Sequence, residues 1–247
     1  MSITSGESGQ GERADGVPSG NVRSMGAAKA LFRPLESRAR LVTIFFRCYI
    51  ALSAVSLLGG VIAPLIGVNP NSETTLPAED TPLGSAVLML LGLALILYFV
   101  TLIICMIVFL MWLYRARSNL PALGIADARW SPGWAIAWWF IPIMSLFRPY
   151  QLVKETWQAS DPESLPGWRR EPPPAVFGWW WGLFLVYSFF GNATDSTPSG
   201  AAPSFDAAAL VDLAVLIVGI GSALCALWIV RDTTTRQTQR YQVGAFA

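Results

Sequence analysis

Two charged residues sit within long apolar runs, Arg47 and Asp212. A charge at membrane depth is costly, and it commonly serves an ion path, a proton relay or a structural pair. At 1.5 Å per residue, Arg47 is expected about 9 Å inside its run. Its long side chain can reach back to the interface from there. Asp212 is expected at a similar distance from the opposite surface, where water can hydrate it. Their different depths argue against a direct ion pair, and one acid alone is thin material for a proton pathway. A second set joins guanidinium groups to aromatic rings: Arg115, Arg117, Trp134, Trp138, Arg148 and Tyr150. Arg clasps a phosphate through two N–H groups, and indoles favour headgroup depth. These six residues form a candidate platform for anionic lipid headgroups or for a membrane protein partner.

Catalytic chemistry finds little to work with. The chain has no His, which removes imidazole acid–base catalysis and His-ligated metals or haem. Cys48, Cys105 and Cys225 are far apart, each inside an apolar run, so neither a zinc site nor a disulfide framework follows. An intramembrane aspartyl site needs two carboxylates sharing a proton, and Asp212 stands alone. A Ser–Lys site has only Lys29 and Lys154 to draw on, both outside the apolar runs. No Gly-rich phosphate loop follows a strand pattern. The expectation is a protein that is not an enzyme, with no catalytic, cofactor-binding or metal-binding residues and no cofactor. Nucleic acid is not expected as a partner, because acidic residues are interleaved with the arginines and no nucleic-acid motif is present.

Helices in a bilayer must position these side chains. Hydrophobic residues make up 53% of the 247, and charged residues only 13%. Soluble domains carry about 25% charge, so a soluble globular enzyme is not expected. Four spans are expected, at about 41–66, 84–114, 175–191 and 207–230. No charge lies between Asp80 and Arg115, a run well beyond the roughly 20 residues that cross a bilayer. The segment 132–148 is apolar and aromatic, and Pro142 interrupts it. Residues 149–160 are expected to form a short amphipathic helix, with Pro149 in its first turn and Leu152, Val153 and Trp157 near one side. Residues 1–28, rich in Gly, Ser and mixed charge, have the composition of a disordered tail. A single helical membrane domain is assigned to 29–240, and 241–247 to a C-terminal tail. Gly178 and Gly182, like Gly219 and Ala223, have the spacing that lets helices approach closely.

Charge orients the chain. All 17 Lys and Arg lie before or within the first span, between the second span and 170, or after Val230. The loops 67–83 and 192–206 hold none. Positive-inside bias then places both termini in the cytoplasm. Both flanks of 132–148 are basic, so this segment is expected to enter and leave on the same side, as a re-entrant or interfacial aromatic segment. The fold class is therefore an all-α integral membrane protein with four transmembrane helices plus that segment; five or more spans is the alternative. All 11 Trp fall toward the cytoplasmic side on this layout, where they are read first as headgroup anchors.

The central region carries a string of motifs: Trp112-Leu-Tyr-Arg-Ala-Arg117-Ser-Asn-Leu120, Trp130-Ser-Pro-Gly-Trp134, Trp138-Trp-Phe-Ile-Pro142, Phe147-Arg-Pro-Tyr-Gln151 and Glu155-Thr-Trp157-Gln-Ala-Ser160. With the tail Val230-Arg-Asp-Thr-Thr-Thr-Arg-Gln237, it resembles the bacterial membrane family called domain of unknown function 4328. Ser145 departs from that resemblance, which leads one to expect Asn there. The resemblance implies a bacterial cytoplasmic-membrane protein and assigns no activity. The expected function is a non-enzymatic scaffold or accessory protein. The alternative is a small transporter or channel that uses the segment around Pro142 and Ser145. A lipid-modifying enzyme ranks last.

Overall fold

The computed structural model describes residues 32–65, 82–161, 168–191 and 207–246. The N-terminal tail, both uncharged-to-acidic loops and the middle of the linker after 161 lie outside the described residues. Every regular element among the described residues is helical. Helix α1 is Glu36–Leu65, α2 is Pro82–Ser118, α3 is the single turn Trp134–Ala137, α4 is Arg148–Gln158, α5 is Val176–Phe190 and α6 is Ala207–Phe246. Three stretches are long and apolar enough to cross a membrane: Glu36–Leu58, Ile96–Ser118 and Leu213–Val243. Helix α5 is apolar but shorter, at 15 residues.

Cross-helix contacts fix the directions. The Arg38 guanidinium near the start of α1 donates to the Met111 carbonyl near the end of α2, at 2.8 Å. The Trp112 indole donates to Thr234 late in α6, at 3.1 Å. Ser222 reaches back to the Trp180 carbonyl at 3.3 Å. So α2 and α6 run parallel, and α1 and α5 run against them. Helix α6 is the spine: it packs along α1 and α5, while α2 packs mainly on α1. Both ends of the described chain, α4, and the stretch between α2 and α4 gather at one end of this bundle. We call it the basic end.

The elements follow from local chemistry. Arg115 and Arg117 fall in the last turn of α2, where cations oppose the partial negative charge of the helix end. A short 3-10 turn at Pro121–Leu123 then reverses the chain and closes on Gly124 at φ 83°, a left-handed conformation that glycine adopts without steric cost. Pro149 sits in the first turn of α4, where its missing N–H is no loss. Between α3 and α4, Pro142 separates the α3 turn from a second short turn at Met144–Leu146. The segment 132–148 is thus a broken loop with little helix in it. Its two flanks meet, because Arg148 lies 5.6 Å from the ring of Trp130.

The main core sits at the basic end. Trp112 and Leu113 of α2, Leu152 and Trp157 of α4, Phe177 and Trp180 of α5, and Ile229 of α6 are all buried there. Two expectations change. The last span is expected to end near Val230, but its helix continues to Phe246, through most of the stretch assigned to a C-terminal tail. Beyond Val230 its inward positions are Thr233, Thr234, Gln237 and Arg240, so it stays helical over a buried polar face. The tryptophans are also not a headgroup belt throughout. Trp112, Trp157, Trp168, Trp180 and Trp181 are buried inside the protein, where rings of this size supply much of the packed area.

Candidate functional site

The six platform residues separate into different environments. Arg117 points inward and is 1% exposed. Its Nη2 lies 2.7 Å from Glu155 Oε2 on α4. Nε and Nη2 also donate to the Trp130 carbonyl, at 3.1 and 2.8 Å, and Nη1 to Thr156 Oγ1 at 3.3 Å. The other Glu155 oxygen accepts the Arg129 backbone N–H at 2.8 Å. Burial of a charge is tolerated only with partners of this kind, and Arg117 spends its donors within the chain. It is a structural clamp joining α2, α4 and residues 129–130, and it is not open to a headgroup.

Arg148, Trp134 and Trp138 do come together. Trp134 stacks on Trp138 at 4.2 Å between centroids. The Arg148 guanidinium sits 5.6 Å from both Trp138 and Trp130 and donates to Gln151 at 3.0 Å. The cation therefore already occupies its aromatic faces. Tyr150 belongs to another group: its ring lies 6.5 Å from Trp181. Arg115 is half-exposed and stands in the field of Arg38 and Arg33. Asn119, one turn beyond Arg115, fixes the Arg33 backbone through two hydrogen bonds, at 2.9 and 3.2 Å. None of these three arginines has a salt bridge among the described residues. Arg47 is exposed on α1, also without one. The side chain of Asp212 lies outside the described residues.

Further polar residues close the basic end. Arg236 grips Glu171 with two 3.0 Å hydrogen bonds, meets Asp232 at 3.1 Å, and stacks 3.8 Å from the centre of Trp157. The Trp157 indole donates to Asp232 at 2.6 Å. Gln237 donates to the Ala116 carbonyl at 2.9 Å and to Ser160 at 3.0 Å, and accepts from Asn119 at 3.2 Å. Arg240 donates to the carbonyls of Leu123, Ala159 and Asp161. At the rim, Asp127 accepts from Arg169 at 2.6 Å and from the Trp168 indole at 3.2 Å. The hydrogen bond from Arg169 holds the Asp127 carboxyl below the usual carboxylate range. Of these residues only Arg169, Arg236 and Arg240 entered the charge count above. Except for Asp232, one helical turn from Arg236, their acceptors lie many residues away, beyond any local pattern.

A second feature lies halfway along the bundle. The Tyr98 and Tyr187 hydroxyls meet at 2.8 Å, joining α2 to α5. Tyr49 of α1 faces both, and Ser53 as well. Beside them a cavity of about 320 Å³ extends toward the basic end as far as Leu110 and Ala226. Trp139, from the loop after α3, forms part of its wall. Gly219 lets this cluster close: a Cβ there would lie 2.5 Å from Tyr49 Oη and 3.0 Å from the Tyr187 ring. Among the described residues no three His, Cys, Asp or Glu side chains gather as a metal site.

A family model for a domain of unknown function, DUF4328, matches residues 80–235. The chain belongs to this family. The matched DUF4328 stretch runs from the residues just before α2 into the outer part of α6. It contains both partners of the Arg117–Glu155 clamp and most of the cavity wall. Helix α1, with Arg38 and Tyr49, lies before it, as does Arg33. No curated protein and no solved structure matches the chain.

Proposed function

We propose that this DUF4328 protein is a non-enzymatic scaffold or accessory protein of the bacterial cytoplasmic membrane. Its four long or apolar helices span the bilayer with both termini cytoplasmic. Its basic end engages anionic inner-leaflet headgroups. The observation that carries the reading is the contrast among arginines. Arg117, Arg169 and Arg236 are paired with carboxylates, whereas Arg33, Arg38 and Arg115 converge at the junction of α1 and α2 and none of them makes a salt bridge among the described residues. Concentrated positive charge at that depth favours a lipid phosphate. The platform is thus narrower than the sequence suggests, and Arg33 and Arg38 replace Arg117 in it. Exposed Phe140, Ile143 and Phe147 on the broken loop support its lying in the membrane as a re-entrant or interfacial segment.

Native mass spectrometry of the purified full-length protein tests this. Wild type should retain phosphatidylglycerol in preference to phosphatidylcholine. Each arginine near an anionic surface contributes about 1 kcal/mol, so Arg33→Gln/Arg38→Gln/Arg115→Gln should lower that preference by more than about tenfold. An unchanged preference defeats the reading. Sidedness is tested separately with Ser164→Cys in a background lacking Cys48, Cys105 and Cys225. Protection from an impermeant thiol reagent in intact cells, with labelling after lysis, supports four spans. Labelling in intact cells means that 132–148 crosses, and it moves the transporter reading ahead.

A further inference from the structure

The cavity beside the tyrosine cluster has walls from four helices, yet the two at its mouth barely touch. Helix α2 packs on α1, and α5 packs on α6. What joins α2 to α5 is the Tyr98–Tyr187 hydroxyl contact at one level and the approach of Phe109 to Trp180, 6.0 Å between centroids, at the other. Between those two clasps the space is open on one flank, because Met106 both lines it and is 42% exposed. The neighbouring outward residues, Ile103 and Ile107 on α2 and Val186 on α5, are exposed and apolar.

An apolar void in a packed interior forfeits the dispersion contacts of its whole lining. Water is a poor tenant, since a buried water needs two to four polar partners. Here the hydroxyls are gathered at one end, and Ser222 is already committed to the Trp180 carbonyl. The lining from Leu102 to Leu110 covers about 12 Å along α2, at 1.5 Å per residue. The space is therefore elongated along the bundle axis, in the direction that acyl chains run.

We propose that this cleft is a binding site for one hydrocarbon chain of a bilayer lipid, which enters sideways between α2 and α5. This inference rests on the helices spanning a bilayer, and it is independent of the arginine cluster. The chain completes the packing that α2 and α5 do not make with each other. The Tyr98–Tyr187 clasp closes one end of the cleft. At the other end Phe109, Trp139 and Trp180 form an aromatic floor.

The test is photo-crosslinking. Full-length protein is reconstituted in phosphatidylcholine vesicles that contain a phosphatidylcholine with a diazirine midway along one acyl chain, and adducts are mapped by peptide mass spectrometry. Adducts should appear on the inward residues Cys105, Phe184 and Ala223 as well as on the outward residues Ile103 and Ile107. Ala223→Leu, which narrows the cleft, should lower the inward adducts severalfold and leave the outward ones unchanged. Wild-type adducts confined to Ile103, Ile107 and Ile217 overturn the proposal, and this reading does not depend on whether the variant folds. An absence of adducts anywhere overturns the bilayer reading along with it. Loss of phosphatidylglycerol preference in the arginine variant, with inward adducts retained, separates the two sites.

Discussion

At the basic end most buried polar groups are matched, although Trp138 Nε1, Thr233 Oγ1 and Arg240 Nη2 have no hydrogen-bond partner among the described residues. Arg117 meets Glu155 and the Trp130 carbonyl, Gln237 bridges Ala116, Asn119 and Ser160, and the Trp157 indole meets Asp232. Halfway along the bundle the interactions are mostly contacts between rings and aliphatic groups, and a space is left between α2 and α5. The first region is directional, and one lost partner leaves another buried group stranded. The second is non-directional, so shape and volume govern it. The contrast teaches that the same helices serve two purposes. Their outer turns fix one arrangement, and their middles tolerate a variable filling.

Substitutions can sharpen or break that contrast. The largest effect should come from Arg117→Met, which takes the closest cation from a buried Glu155. Breaking such a pair costs about 3–5 kcal/mol, read as a fall in Tm in detergent. Arg117→Met with Glu155→Leu should recover most of it; a double variant no better than the single would mean that the other contacts of Arg117 hold this end together. Gly219→Ala comes next. Its Cβ would sit 2.5 Å from Tyr49 Oη, and overpacking of this kind costs about 1–3 kcal/mol. Tyr49→Phe in the same chain removes the obstructing oxygen and should restore part of the loss.

Tyr98→Phe keeps the ring and deletes one hydroxyl of the α2–α5 clasp. A loss of about 0.5–1.5 kcal/mol is expected, well below that of Arg117→Met. An equal loss would erase the distinction between the two regions. The smallest effect concerns pH. Because Arg169 depresses the Asp127 carboxyl, Asp127 stays ionised as pH falls through the normal aspartate range near 3.9. Its contribution is present above that value and fades only as pH drops through the lower, folded-state value. Amide exchange around 127–130, corrected for the intrinsic pH dependence of exchange, should therefore hold steady from neutral pH to about 4 and quicken below it. Quickening that begins near pH 6 would contradict the pairing.

The sequence made the long helices legible because apolar runs announce them directly, and α2 needs little else. The break at Pro142 and the short helix over Arg148–Gln158 were legible too, one from a missing N–H and the other from the spacing of Leu152, Val153 and Trp157. The outer half of α6 was not. Its buried positions 233, 234, 237 and 240 follow a helical period, but they carry Thr, Thr, Gln and Arg, so hydrophobic periodicity is silent there. Arg117 was misread for a related reason. Two residues from Arg115 it looks like part of one basic rim, yet a two-residue step turns a helix side chain well away from its neighbour. Its acid partner stands 38 residues away. The composition of Trp indicated a membrane interface, but composition cannot tell an exposed indole, such as Trp179 at 66% exposure, from one buried against α6, such as Trp112.

Helix α5 has 15 residues and so rises about 22 Å, against roughly 30 Å for a bilayer's hydrocarbon layer. Helices α1, α2 and α6 are long enough to match that thickness. On the proposed four-span reading, a bilayer around this bundle is pinched on one flank and relaxed on the other three. Lipids beside α5 would then shorten or splay to meet it. On that reading the protein draws short-chain lipids toward the flank where Phe189 and Phe190 end the helix.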